Sequence, residues 1–380
     1  MTDRTKENGI CLIFIHAKVG QGHTKATLSL AETALKQDRV SSALVIDTLD
    51  IANQMSSKIT KMLYIGTIKY LPALWITLYK SKTILMQIEH NIVRILMRWA
   101  LYRHLSRTIR LNRPHAIVCT HFFPIPPLAH LKNRYSPFKL YVVVTDGDLH
   151  PLWTYKGVDA YFVADEMAIG NFTEKGLKAR VFPIGMPIDL SFSRKQKENI
   201  RNLLGISNRF TVMITGGGEG IGPIKEIAKT VDNSLNNINI IILCGRSEKL
   251  RKKLTDTDFK NQVYIHGYIE NIVDFYDASD CIVGKPGGLT TAEVIARGKP
   301  FIAYLAYGGQ EEGNIRRFIG REGFYISTNI QDIPGIIKKL IDRVEFKQLS
   351  RKLISSSDRE TSTKMIELIL NDIIKDYGLL

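Results

Sequence analysis

No stretch of this chain stays apolar for the ~20 residues that a helix needs to cross a bilayer. The best run in its most aromatic region, Tyr70 to Tyr79, is bracketed by Lys69 and Lys80 and interrupted by Pro72. Pro114 to Leu131 carries no formal charge, but Pro124, Pro126, Pro127 and three histidines make a strand and loop the expected reading. The first nine residues are polar and lack the apolar core of a signal peptide. Cysteine is scarce. Cys11, Cys119, Cys244 and Cys281 are the only four, and none stands in a C-x-x-C pair. That argues against a disulfide framework and a zinc site, and their apolar surroundings predict buried thiols in a reducing compartment. No glycine-rich loop ends in the G-K-[ST] of a P-loop.

Acidic residues are also few, 37 against 52 Lys and Arg, for a net charge of +15. The deficit is concentrated. Between Ile51 and Arg113 eleven Lys and Arg face one acid, Glu89, in a stretch that also holds Tyr64, Tyr70, Trp75, Tyr79, Trp99 and Tyr102. Basic helices with aromatic and aliphatic residues are expected to lie on anionic lipid. A solvated helical face fits the charge equally well. A nucleic-acid groove fits less well, because Leu, Ile, Met and Trp outnumber the small polar residues that line phosphate tracks.

What is present is a double series of strand-helix units. Ile10 to His16, Ala43 to Ile46, Ala116 to Cys119, Leu140 to Val144, Tyr161 to Ala164 and Arg180 to Phe182 read as strands, with a helix over Thr24 to Lys36. Pro183, Gly185 and Pro187, followed by polar residues, mark a boundary. The pattern then restarts with strands at Phe210 to Ile214, Ile238 to Leu243, Val263 to Ile265, Cys281 to Val283 and Phe301 to Tyr304. Helices are expected to open near Pro223, Ser247, Asn271, Leu289 and Glu312. Alternation of this kind predicts parallel sheets in two doubly wound α/β lobes, over residues 1–187 and 188–360, with a basic helical insertion in the first. Residues 361–380 form an amphipathic helix. Ligands are expected at the carboxyl ends of the strands, in a cleft between the lobes.

The densest chemical signal is Gly284-Lys285-Pro286-Gly287-Gly288-Leu289-Thr290-Thr291-Ala292-Glu293, which leaves a strand and enters a helix. Backbone without side chains at a helix N-terminus is an anion site, because free N–H groups and the helix dipole point the same way. A carboxylate one turn on, Glu293, can accept hydrogen bonds from a sugar diol. Together they suggest a nucleoside diphosphate. Thr215-Gly216-Gly217-Gly218-Glu219-Gly220 argues for backbone approach to a phosphate or sugar, against the plainer reading of a tight turn. Gly20-Gln21-Gly22-His23 follows the first strand, and Asp47 could serve as a ribose acid. Lys25, however, replaces the third glycine of a dinucleotide fingerprint. His23, beside glycines that let another molecule approach, is placed for general-base work; the plainer reading is a packing histidine. Asp146-Gly147-Asp148 with His150 matches a metal-binding D-x-D only weakly.

Taken together the chain resembles the GT-B glycosyltransferases of the monogalactosyldiacylglycerol synthase and processive diacylglycerol glucosyltransferase family. The peptidoglycan N-acetylglucosaminyl transferase is a more distant relative. The likeness rests on the 17–23 opening, the 70–75 segment, Val143-Val144-Thr145-Asp146 with His150 and Trp153, and the Pro183–Ile188 boundary. It is most specific from His266-Gly267-Tyr268 through Lys285–Glu293 to Gly309–Asn314. It implies a UDP-sugar donor on the second lobe, a diacylglycerol-type acceptor on the first, no metal, no nucleic acid, and peripheral attachment to the cytoplasmic face of a membrane. It implies His23 and Asp146 as catalytic. Donor binding falls to Gly217, Gly218, Arg246, Tyr268, Pro286, Gly287, Gly288, Leu289, Thr290, Glu293, Gln310, Glu311 and Asn314. Acceptor or membrane contact falls to Gly20, Gly22, Pro72, Trp75, His150 and Trp153. Gly147 and Lys18-Val19 depart from the family pattern on the acceptor side. The alternatives are a nucleotide-sugar 2-epimerase of the same two-lobe build and a non-enzymatic binding protein.

Overall fold

The computed structural model describes residues 9–18, 21–51, 84–132, 134, 137–147, 149–173, 179–304, 310–316, 318–342, 349–350, 352–353 and 359–378. For residues 84–93, 96, 170–171, 173 and 310–312 it describes the backbone alone. Two compact units result, one of residues 1–189 and 360–380, the other of residues 190–359. Gly20, Pro72, Trp75 and Asp148 lie outside the described residues.

The first unit holds β1 (Ile10–His16), β2 (Val40–Asp47), β3 (Ala116–Cys119), β4 (Lys139–Val143), β5 (Ala160–Phe162) and β6 (Arg180–Phe182) in one parallel sheet, order β2-β1-β3-β4-β5-β6. The apolar runs predicted this, since a strand covered on both faces needs no alternation. One face packs under the helix Gln21–Leu35 and the C-terminal helix Thr361–Tyr377, with Leu12, Phe14, Leu30, Ala34, Met365, Ile369 and Ile373 in the shared core. The chain thus returns to its first unit at the end. Among the contacts that hold that helix, the Ser362 hydroxyl lies 2.8 Å from that of Ser29, Arg180 donates to Asp372, and Tyr377 donates to the Pro137 carbonyl. The other face is covered by Ile84–Asn112, whose Leu101, Leu105 and Ile109 are buried.

Between β3 and β4 the structure corrects the expected loop. Ile125–Leu131 is a helix, with Pro126 and Pro127 in its first turn. Amides there have no intrahelical acceptor, so proline forfeits nothing and its fixed φ favours the helix.

The second unit contains β7 (Phe210–Thr215), β8 (Ile238–Leu243), β9 (Gln262–His266), β10 (Cys281–Gly284), β11 (Phe301–Tyr304) and β12 (Phe324–Ser327), all parallel, in the order β12-β11-β10-β7-β8-β9. β12 was not anticipated, nor was the helix Ile333–Ile341 that follows it. Helices Ile224–Ser234, Glu248–Thr255, Val273–Ala278, Gly288–Ala296 and Gln310–Arg316 supply the crossovers. The helix expected to open near Ser247 does so, and Ser247 caps it, accepting from the Leu250 amide at 3.3 Å. Cys119, Cys244 and Cys281 are buried free thiols and Cys11 is half-buried. Among the described residues no helix is long and apolar enough to cross a membrane.

Both sheets reverse their winding once. The chain runs from β1 outward to β2, then returns to place β3 on the other side of β1; in the second unit it runs β7, β8, β9, then returns to place β10 beside β7. Loops at the carboxyl ends of such a strand pair diverge to opposite faces and leave a crevice, the place where doubly wound sheets bind ligands.

Candidate functional sites, one in each unit

The crevice of the first unit lies where β1 and β3 end, and His23 stands in it. The helix Gln21–Leu35 begins five residues past β1 and carries His23 in its first turn. His23 Nδ1 lies 2.9 Å from the backbone carbonyl of Thr120, the residue that follows β3, and 2.7 Å from the hydroxyl of Thr145, beyond β4. A carbonyl can only accept. Nδ1 therefore carries the proton, and Nε2 presents the lone pair. Among the described residues Nε2 has no hydrogen-bond partner.

Two further rings close around it. His121 meets His23 edge-on at 4.7 Å between centroids, and Trp153 lies 6.3 Å from each of them. His121 is fully buried and its Nδ1 accepts from the Phe123 amide at 3.2 Å. Burial first, then the neighbouring His23 and His16, hold it well below the ordinary histidine range. It stays neutral, so it adds no positive charge against protonation of His23. His16, at the end of β1, is also lowered; burial dominates and the Asp47 carboxylate opposes it.

Among the described residues Asp146 makes no hydrogen bond to His23. Its Oδ2 accepts from the Trp153 indole N–H at 2.9 Å, so the carboxylate fixes the ring that walls the site. His150 caps the turn of Trp153, its Nδ1 accepting from the Leu152 amide at 3.3 Å. Gly22 lies one residue before His23, half-buried. Thr120 and His121 escaped the sequence reading. The signal available was their position, directly after the apolar run of β3, where this class of sheet carries its chemistry.

The crevice of the second unit lies between the loops after β7 and β10. Its glycines divide into two kinds. A Cβ on Gly216 would stand 2.5 Å from the Ile221 carbonyl, one on Gly220 2.0 Å from that of Cys244, and one on Gly284 2.6 Å from that of Thr215. Those three are glycine because the protein packs against itself there. Gly217 differs: its φ of +72° disfavours any side chain, and the nearest atom to its absent Cβ is Lys285 Cε, 4.0 Å away. At Gly287 the nearest is Thr290 Oγ1 at 3.7 Å. Gly217 and Gly287 leave backbone open, as does Gly222 further along the first of these loops, where nothing lies within 4 Å of an added Cβ.

Gly287 precedes the helix Gly288–Ala296, and the first-turn amides of Gly288, Leu289 and Thr290 find no acceptor among the described residues. Asn314 pins the loop from behind, donating to the Pro286 carbonyl at 2.9 Å. Gly287 and Thr290 are half-buried, Gly288 and Leu289 buried. Further along, Glu293 is only 4% exposed, and its Oε2 accepts from the Tyr276 hydroxyl at 3.1 Å. Burial and then Glu293 push the Tyr276 phenol well above its ordinary value, so it remains the donor of that bond. Arg246 donates its amide to the Gly218 carbonyl at 2.9 Å and lays its guanidinium 4.8 Å from the centre of the half-exposed Tyr268 ring. Gly217, Gly218, Arg246 and Tyr268 therefore form one polar shelf. Gln310 and Glu311 open the helix Gln310–Arg316, and their side chains lie outside the described residues.

Comparison with known proteins follows the same division. The monogalactosyldiacylglycerol (MGDG) synthase family model matches residues 23–188, and the glycosyltransferase family 28 C-terminal domain matches residues 211–311. A processive diacylglycerol beta-glucosyltransferase of Bacillus cereus is 25% identical over 370 residues, 94% of this chain and 93% of the relative. Among solved structures, Acinetobacter baumannii MurG superposes with a TM-score of 0.62 at 13% identity, covering 95% of this chain and 99% of its own. A putative UDP-N-acetylglucosamine 2-epimerase of Listeria monocytogenes superposes with a TM-score of 0.64 at 14% identity, covering 98% and 97%. The two Rossmann-like units are those of the GT-B fold.

Proposed function

We propose that this chain, a GT-B protein related to the diacylglycerol glucosyltransferases and to MurG, is an inverting glycosyltransferase moving a hexose from a UDP-sugar to a diacylglycerol-type lipid. The observation that carries the reading is the 2.9 Å contact of His23 Nδ1 with the Thr120 carbonyl, which can only accept and so leaves the lone pair on Nε2. There it takes the proton of the acceptor hydroxyl. The freed oxygen attacks the anomeric carbon, and UDP leaves with the bonding electrons. The unpaired amides of Gly288 to Thr290 meet the charge that develops on the diphosphate, at little reorganisation cost because they are fixed beforehand.

In this reading Glu293 clamps the ribose hydroxyls, so Glu293→Ala is expected to weaken UDP binding about 10- to 100-fold, the worth of hydrogen bonds to a charged acceptor. Calorimetric titration with UDP checks it. An unchanged affinity in a variant of normal Tm would remove Glu293 as the ribose clamp.

The membrane side of the reading is supported by the helix Ile84–Asn112. Its outer surface exposes Arg98, Arg103, Arg107 and Arg110 together with Ile95 and Leu111, while Trp99 is 70% exposed. Cations beside a bare indole suit the interface of an anionic bilayer on the cytoplasmic side. A 2-epimerase acts on a soluble substrate and gains nothing from such a face.

Incubation with a panel of UDP-sugars and anionic vesicles containing diacylglycerol tests the whole reading. The expected result is UDP release that requires the lipid and yields a glycolipid, with vesicle binding that falls as salt rises. Conversion of a UDP-sugar to its epimer without lipid would overturn it. Attachment indifferent to salt would remove the arginine face from the account.

A further inference from the structure

We infer that Thr145 is a positioning residue for the base: with the Thr120 carbonyl, its hydroxyl fixes the tautomer and ring plane of His23 and shares the charge the ring gains on accepting a proton. This rests on His23 being the base, as proposed above.

The ring nitrogen on which the geometry turns is Nδ1. Two oxygens converge on it, the Thr120 carbonyl at 2.9 Å and Thr145 Oγ1 at 2.7 Å. Were the threonine hydroxyl to donate, Nδ1 would hold a lone pair and face the carbonyl lone pairs at 2.9 Å, which is repulsive. The hydroxyl instead accepts from Nδ1–H, and its own hydrogen turns toward the Thr120 carbonyl, 3.5 Å away. Both oxygens stand at the ends of neighbouring strands, β3 and β4, so the sheet sets the ring's angle.

The backbone beneath is tied down too. Thr27, one turn along the helix, donates to the His23 carbonyl at 2.7 Å and shares a short 2.5 Å contact with Thr120 Oγ1. Thr145 is 7% exposed, a site where water cannot readily take its place.

The partner of Nδ1 is thus a pair of neutral oxygens, with Asp146 engaged on Trp153. In the transfer step the acceptor O–H bond breaks as the Nε2–H bond forms, leaving an imidazolium whose Nδ1–H points at both oxygens. A charged donor roughly doubles the strength of such bonds, so the hydroxyl favours the protonated ring more than the neutral one. Among the described residues the titratable groups that interact with His23 are His16 from β1 and His121 from beyond β3, with the carboxylates of Asp47 and Asp50 acting on His16.

Thr145→Val keeps the shape and removes the hydroxyl; Thr145→Ser restores it. The valine variant is expected to lose about 10- to 100-fold in kcat with donor KM unchanged, and serine to recover most of the loss. The acid limb of the pH–rate profile should move to lower pH in the valine variant, because an imidazolium with one acceptor fewer gives up its proton more readily. Nitrogen NMR of the resting protein supplies a readout independent of turnover. It is expected to show His23 protonated on Nδ1 in the parent, with a lower pKa in the valine variant. An Nε2–H tautomer, or a titration unmoved by valine, overturns the inference even in an active enzyme. Absence of lipid-dependent transfer in the parent counts against the proposed function, and the NMR result still decides the role of Thr145.

Discussion

Replacing His23 with alanine is expected to lower turnover by about 10²–10⁴-fold, the usual contribution of a positioned general base, with UDP binding nearly intact. The separation of the two effects follows from the architecture. His23 lies in the first unit, between the ends of β1 and β3, while the open amides of Gly288 to Thr290 lie in the second. Single-turnover transfer from a UDP-sugar to vesicle lipid measures the first quantity, and UDP titration the second. Turnover within threefold of the parent would remove His23 as the base, and a parallel loss of UDP affinity would mean that the substitution disturbs more than the crevice.

The second large effect is expected on stability. Arg297 is 1% exposed at the carboxyl end of Gly288–Ala296, the helix whose other end carries the candidate phosphate site. Its Nη2 donates to both oxygens of Asp277 at 2.5 and 2.6 Å, and its Nη1 to the carbonyls of Phe192 and Arg194 at 3.0 and 2.8 Å. Burial holds the Asp277 carboxyl above its ordinary value although Arg297 pulls the other way. Arg297→Met therefore strands a buried carboxylate and two carbonyls, and the expected cost is about 3–5 kcal/mol, the range for breaking a buried ion pair from one side. Urea unfolding of the variant measures it. Pairing the change with Asp277→Leu should return part of the loss, because no charge is then left alone. A single-variant cost below about 1 kcal/mol would show that the pair contributes little.

Local chemistry was readable wherever one segment sufficed. β1, β3, β8 and β11 lie where their apolar runs end, since a strand buried on both faces declares itself by composition. Ser247 marked a helix start, and the glycine run before Leu289 announced a helix entry. The helix Ile125–Leu131 was lost because its prolines look like breakers unless they are known to occupy the first turn. The four-residue strand β12 was too short for its pattern to stand out.

Residue identity alone thus determined the two parallel α/β series, the side-chain-free anion loop of the second and the histidine after the first strand of the first. Tertiary structure decided which glycines serve the protein's own packing and which leave backbone open, because that depends on carbonyls of Ile221, Cys244 and Thr215 approaching from other turns. It decided that His23 is held by Thr120 and Thr145, 97 and 122 residues away, while Asp146 serves Trp153. It also returned the last helix to the first unit. The reason is common to all three: short-range preference sets what each segment becomes, but the winding of the sheet sets which strand ends meet, and partners so distant in the chain leave no periodicity to read.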